Sequence, residues 1–114
     1  SLKSTPDNKI SWLEVPHSLL KSCRPGPEIV DELVNYPRSV RTAEVSFVLR
    51  DQSNDGKIRV SFRSKGRVDV NKIARSFGGG GHRAASGCTI DGTLAQARQK
   101  VLKAAHQAVR NGRR

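Results

Sequence analysis

Two stretches of the chain alternate strictly between apolar and polar positions. Residues 43–50 place Val45, Phe47 and Leu49 on one face and Glu44, Ser46, Val48 and Arg50 on the other. Residues 57–63 place Ile58, Val60 and Phe62 opposite Arg59, Ser61 and Arg63. A period of two marks a half-buried strand. Between the runs lies Gln52-Ser53-Asn54-Asp55-Gly56, and Asp-Gly between alternating segments is a strong hairpin signal, so the two strands are expected to pair antiparallel. Upstream, Ile10–Val15 is a short apolar run containing Trp12 and stopped by Pro16, which suits another strand.

Elsewhere the period lengthens. Val70, Ile73, Ala74 and Phe77 recur at i, i+3, i+4 and i+7 behind Asp69, a natural cap, and predict a helix pressed on the sheet. Residues 84–90 return as a strand of small side chains, kept slim by Ser86 and Gly87. Thr93-Leu94-Ala95-Gln96 fits a capping box, opening a helix whose stripe of Leu94, Ala97, Val101, Ala104, Ala105 and Ala108 runs to about Val109. Nearer the start, His17 opens a helical turn through Leu20. Pro27 then begins a helix to about Asn35, with Glu28, Asp31 and Glu32 near its positive end. The order β, α, α, β, β, α, β, α predicts a single α/β domain with a mixed sheet of four to five strands flanked by helices. Its bounds are residues 9–110, with 1–8 a linker or frayed lead-in and 111–114 a loose tail.

Charge changes this picture by dividing the chain. Of the formal +11, residues 1–55 hold 7 Lys/Arg and 8 Asp/Glu, a net of −1, while residues 56–114 hold 14 and 2, a net of +12. Such asymmetry calls for a polyanionic partner, a nucleotide or short RNA or DNA before any membrane. No apolar stretch approaches the roughly 20 residues that span a bilayer, and no leader-like segment opens the chain. With one Trp, one Tyr and three Phe, a base-stacking platform has little material. Cys23 and Cys88 are far apart without a CxxC, the usage of a reducing, cytoplasmic setting, and neither His82 nor Cys88 has the neighbours of a zinc site. Methionine is absent even at position 1, so a portion of a longer protein is expected.

The candidate chemistry centres on Phe77-Gly78-Gly79-Gly80-Gly81-His82-Arg83-Ala84-Ala85-Ser86-Gly87. Gly78 serves as a helix terminator; the other three glycines imply close backbone approach to something, read here as a phosphate held by loop N–H groups with His82 and Arg83 beside it. A flexible linker is the competing reading, disfavoured because the run lies between a helix and a strand. No GxxxxGK[ST] or GxGxxG spacing is present, and a loop at a helix C-terminus faces the negative end of the helix dipole.

Val60-Ser61-Phe62-Arg63-Ser64, then Asp69 to Ala74, then Gly79-Gly80-Gly81-His82 through Gly87 together resemble the DHH-associated C-terminal domain of the RecJ-related DHH phosphoesterases. The similar branch holds nanoRNases of the NrnA type, pAp phosphatases and GdpP-like cyclic-di-AMP phosphodiesterases. The resemblance implies a substrate-binding domain. Arg63 and the Gly79, Gly80 and Gly81 backbone would contact the phosphate or nucleotide, and His82 would donate to a phosphoryl oxygen, with Ser61, Ser64 and Arg83 as weaker candidates. It further implies that hydrolysis uses two divalent metals, typically manganese, in an N-terminal DHH domain of the same parent chain, and that this segment itself binds without cleaving. A homodimeric parent, a general nucleic-acid-binding module and part of an exopolyphosphatase-like enzyme stand as further expectations.

Overall fold

The computed structural model describes residues 2–18, 37, 41–51 and 56–112. Among these residues, six strands form one mixed sheet: β1 (Leu2–Ser4), β2 (Ile10–Val15), β3 (Val45–Arg50), β4 (Lys57–Ser64), β5 (Gly80–His82) and β6 (Ala85–Asp91), in the order β1-β2-β3-β4-β6-β5. Only β2 and β3 run parallel; every other neighbour is antiparallel. Helix α1 (Val70–Ser76) lies over β4, β5 and β6, and α2 (Leu94–Gly112) over β2 and β3.

The class is as expected, but the sheet is wider by β1 and β5. Residues 1–8 are more than a lead-in, since Leu2, Lys3 and Ser4 pair with Leu13, Trp12 and Ser11. Neither short strand carries an apolar alternation that periodicity could detect. The final helix also reaches Gly112, past the expected end near Val109. The helices expected over residues 17–20 and 27–35, Cys23, and the turn at 52–55 lie wholly or mainly outside the described residues.

Pairing of β3 with β4 places Phe47 opposite Phe62, and pairing of β2 with β3 places Trp12 opposite Phe47. These three rings run across the sheet on the helix side, Trp12 stacked on Phe47 at 5.7 Å and Phe47 tilted against Phe62 at 6.1 Å. Such ring pairs each contribute about 0.5–1.5 kcal/mol beyond their area burial. Val70, Ile73 and Ala74 from α1 and Ala97, Val101, Ala105 and Val109 from α2 close the core over them. Both helix starts follow the sequence reading. The Asp69 carboxylate accepts from the Asn71 and Lys72 amides, while Thr93 and Gln96 exchange reciprocal capping bonds of 2.9 and 3.1 Å.

Glu14 fastens the edge of this core. Its carboxylate accepts from Lys3 of β1, Trp12 of β2 and Arg98 of α2, all at 3.0–3.1 Å. Burial alone would push the carboxyl pKa up, but the Trp12 donor and the Lys3 and Arg98 cations outweigh it and hold the pKa below the usual value. A depressed pKa contributes stability above the unfolded-state value, about 4.3 for Glu, and loses it as pH falls through the folded one. Glu14→Gln is therefore expected to melt below wild type at pH 7. The gap should close as the pH is lowered beneath about 4, measured by circular dichroism.

Candidate functional site

Register fixes where the sequence-predicted residues fall. Ser46 pairs with Arg63, Arg63 with Ala85, and Ala85 with His82, so Arg63 and His82 occupy one cross-strand row with a single small residue between them. At about 4.8 Å per strand step their Cα atoms are roughly 10 Å apart. The next row is Val48, Ser61, Gly87 and Gly80, and the one beyond is Arg50, Arg59 and Thr89. On β3 and β4 these rows lie on the face turned away from α1 and α2, since the intervening Phe47, Leu49, Val60 and Phe62 belong to the core. The core alternation thus decides which cations line up on the opposite face.

The glycine run is used chiefly by the fold. Phe77 caps α1, and Gly78 at φ +84° follows; the Gly78 amide donates to Arg75 O and the Gly79 amide to Ala74 O, the two bonds of a Schellman ending. Gly79 then lies so close to β6 that a Cβ would sit 2.1 Å from Gly87 O and 2.7 Å from Cys88 Cβ. Gly81, at φ +152°, would bring a Cβ within 2.6 Å of Ser86 Cα. The expected close approach is real at these two positions, but its object is the neighbouring strand, and the Gly79 N–H is spent on the helix end. Gly80 is different. It lacks a positive φ, and its nearest neighbour to an added Cβ is Asn71 Oδ1 at 3.7 Å, an ordinary contact.

The remaining candidates divide by what they touch. His82 is exposed on the edge strand. Half-buried Arg63 donates through Nη1 to Phe62 O and, with Ser46, Ser64 and Glu44, lines a cavity of about 140 Å³. The Ser64 hydroxyl donates to Val68 O at 2.7 Å and accepts from the Gly66 amide, shaping the turn after β4. Arg83 donates to Gly66 O and Arg67 O and approaches Asp69 at 3.8 Å, which braces the same turn. Ser61 lines a larger cavity, about 380 Å³, with Arg50, Arg59, Thr89, Gly79 and Gly87. Arg50 and Arg59 were not singled out in the sequence as site residues, although alternation had put both on the non-core face. The antiparallel register of β3 with β4 brings them opposite each other.

Cys88 also borders that cavity, and burial pushes its thiol up to about 11, so it is an inert thiol at neutral pH. Among the described residues no group of three or more His, Cys, Asp or Glu comes together to hold a metal ion, so these residues do not fit a metal pair. None of the described helices is long and apolar enough to cross a membrane.

The fold is thus a mixed α/β sheet with a row of cations on one face and a glycine-tight corner, and comparison with known proteins places it. Residues 24–111 match the DHHA1 domain model, and the chain belongs to that family. Over 78 residues, 68% of this chain, it is 40% identical to the bifunctional oligoribonuclease and PAP phosphatase NrnA of Thermus thermophilus; over 36 residues it is 58% identical to the protein of the same name from Bacillus subtilis. It spans 24% of the Thermus relative's length and 11% of the Bacillus one's. Among solved structures, an exopolyphosphatase-related protein of Bacteroides fragilis superposes on the whole chain with a TM-score of 0.86 at 24% identity. A pGpG-specific phosphodiesterase, PggH of Vibrio cholerae, superposes on 94% of it with a TM-score of 0.60 at 16% identity. The chain covers 33% and 34% of those two, and at such identities they share its fold. It is thus a DHH-family phosphoesterase accessory domain.

The glycines separate experimentally. Gly79→Ala and Gly81→Ala are expected to cost about 1–3 kcal/mol or more through backbone overlap. That corresponds to a melting point lower by at least roughly 4 °C. Gly80→Ala should match wild type or gain up to about 1 kcal/mol from a less flexible unfolded chain. Thermal and urea melts of the three variants check the order.

Proposed function

We propose that this domain is the substrate-holding part of a metal-dependent DHH phosphoesterase acting on short oligoribonucleotides, pAp or cyclic dinucleotides. The observation that carries the reading is the shared row of Arg63 and His82, which puts a guanidinium and an imidazole within reach of one phosphate across Ala85. A guanidinium recognises phosphate oxygens in a planar, bidentate manner, and an imidazole adds a ring N–H donor. The relatives' names supply the substrate class, and the net of +12 over residues 56–114 supplies the attraction.

Division of labour follows from the side chains. The described residues bind and orient a phosphoryl group but offer no cluster for a metal pair, so hydrolysis belongs to a DHH domain of the parent chain, with two divalent ions of the manganese type. When this domain closes over that partner, Arg63 and His82 neutralise charge on the phosphoryl oxygens. Gly80, whose lack of a side chain the packing does not demand, gives the ligand room at the strand edge.

Isotope-labelled protein titrated with AMP, pAp, cyclic-di-AMP and polyphosphate tests this. Nucleotides should shift the resonances of Gly80 and His82. Each of Arg63→Ala and His82→Ala should weaken pAp binding about 10- to 100-fold, the range for losing a hydrogen bond to a charged group. Gly80→Ala should weaken it with no fall in melting temperature. Binding of long polyanions alone, with variants changing only the salt dependence, would leave a general electrostatic surface instead.

A further inference from the structure

On the face turned away from the helices, two rows along β4 from Arg63, stands a cationic pair that has no acid partner among the described residues. Arg50 and Arg59 stand directly opposite each other on β3 and β4, where like charges repel. Arg50 is only 8% exposed, and its buried Nε has no hydrogen-bond partner. Among the described residues neither guanidinium takes part in an ion pair. The nearest acid in sequence, Asp51, likewise leaves a buried carboxylate oxygen unpartnered rather than meeting Arg50. Both arginines line the 380 Å³ cavity whose other walls include Ser61, Thr89 and the bare backbone of Gly79 and Gly87.

A buried donor left unmade is costly, typically about 1–3 kcal/mol and more when charged. Arginine cannot escape by releasing its proton. Burial first, and then the facing charge of Arg59, do push the Arg50 pKa down from its ordinary value, which reports the same conflict. An anion would supply the missing partner. Two facing forks of N–H donors fit a tetrahedral phosphate, with the hydroxyls of Ser61 and Thr89 able to take further oxygens.

We propose that Arg50 and Arg59 form a second phosphate subsite, separate from the Arg63 and His82 row. Four residue steps along β4 separate Arg59 from Arg63, roughly 13–14 Å between their Cα atoms, which suits two phosphate groups better than one. The two subsites therefore read two phosphate groups of one ligand, with Ser61 and Gly87 as the low floor between them. Resting on the phosphoester reading above, this narrows the ligand class: the domain prefers a short oligonucleotide chain to a mononucleotide.

The test compares AMP with the 5′-phosphorylated dinucleotide pApA on the chain described here, by calorimetry and by NMR of arginine side chains. Wild type should bind pApA about tenfold tighter than AMP, and pApA should shift the Arg50 Nε–Hε resonance. In Arg59→Gln, which removes the charge and keeps the length, the tenfold ratio should collapse toward one. A ratio that survives Arg59→Gln, no preference for pApA in wild type, or an unmoved Arg50 resonance would each overturn the second subsite. Equal binding of tripolyphosphate would overturn the oligonucleotide assignment. Loss of AMP binding itself, or indifference to Arg63→Ala, would instead count against the first site, so the two failures are told apart.

Discussion

Strand β4 has to satisfy two incompatible neighbours at once. Ile58, Val60 and Phe62 are fully or almost fully buried beneath the helices, while the residues between them are Arg59, Ser61 and Arg63. With a period of two, a register slip of one residue would drive three polar groups, two of them charged, into the core and bring three apolar ones out. Hydrophobic packing therefore fixes the pairing of β4 with β3 and β6 far more firmly than any contact on the other face could. The cations inherit their alignment from it. Ser46 with Arg63, and Arg50 with Arg59, meet because Phe47 meets Phe62 and Leu49 meets Val60. A face built this way is ordered by the core behind it, which would limit the ordering cost of the proposed association.

The glycine corner extends that rigidity to the sheet edge. Its first half ends α1, and Gly79 and Gly81 let the chain lie against β6 at separations no side chain would permit. His82 is thereby held in register with Ala85 instead of riding on a loop. Ser86 adds a fixed point, its hydroxyl donating to Val70 O at 2.7 Å and tying β6 to the start of α1. The corner thus acts as a joint between helix and sheet, placing its neighbours and spending the Gly79 amide on the helix end.

Much of this was legible beforehand because it follows from local rules. Alternation over 43–50 and 57–63, the Asp55-Gly56 turn signal, the Asp69 cap and the Thr93 to Gln96 box each predict an element from residues only a few positions apart. The shared row of Arg63 and His82 needed the β4–β6–β5 pairing, and resemblance to a known family supplied the association without the geometry. What stayed hidden depends on tertiary contact. Leu2–Ser4 is a strand only because Leu13, Trp12 and Ser11 offer an edge, and Gly80–His82 only because β6 does. The self-packing role of Gly79 could not be read from a glycine run that looks the same whether its neighbour is a ligand or a strand. Arg50 and Arg59 were visible as outward residues, but their confrontation appears only when the hairpin register is counted through.

The carboxylates make the converse point. Asp69 is spent on the cap of α1, Glu14 on Lys3, Trp12 and Arg98, Glu44 on Arg67, and Asp91 on Lys57. The acids among the described residues are mostly committed to structure or to surface pairs, whereas Arg50 and Arg59 have no acid partner among those residues. Among the described residues, positive charge is thus concentrated on one sheet face, and no three His, Cys, Asp or Glu side chains converge. Repulsion between Arg50 and Arg59 is tolerable because the β3–β4 pairing is held from the other side by Leu49 and Val60, so instability is confined to the side chains. A phosphate bound as proposed would gain twice, from its own hydrogen bonds and from relief of that repulsion, and the gain would appear only when ligand is present.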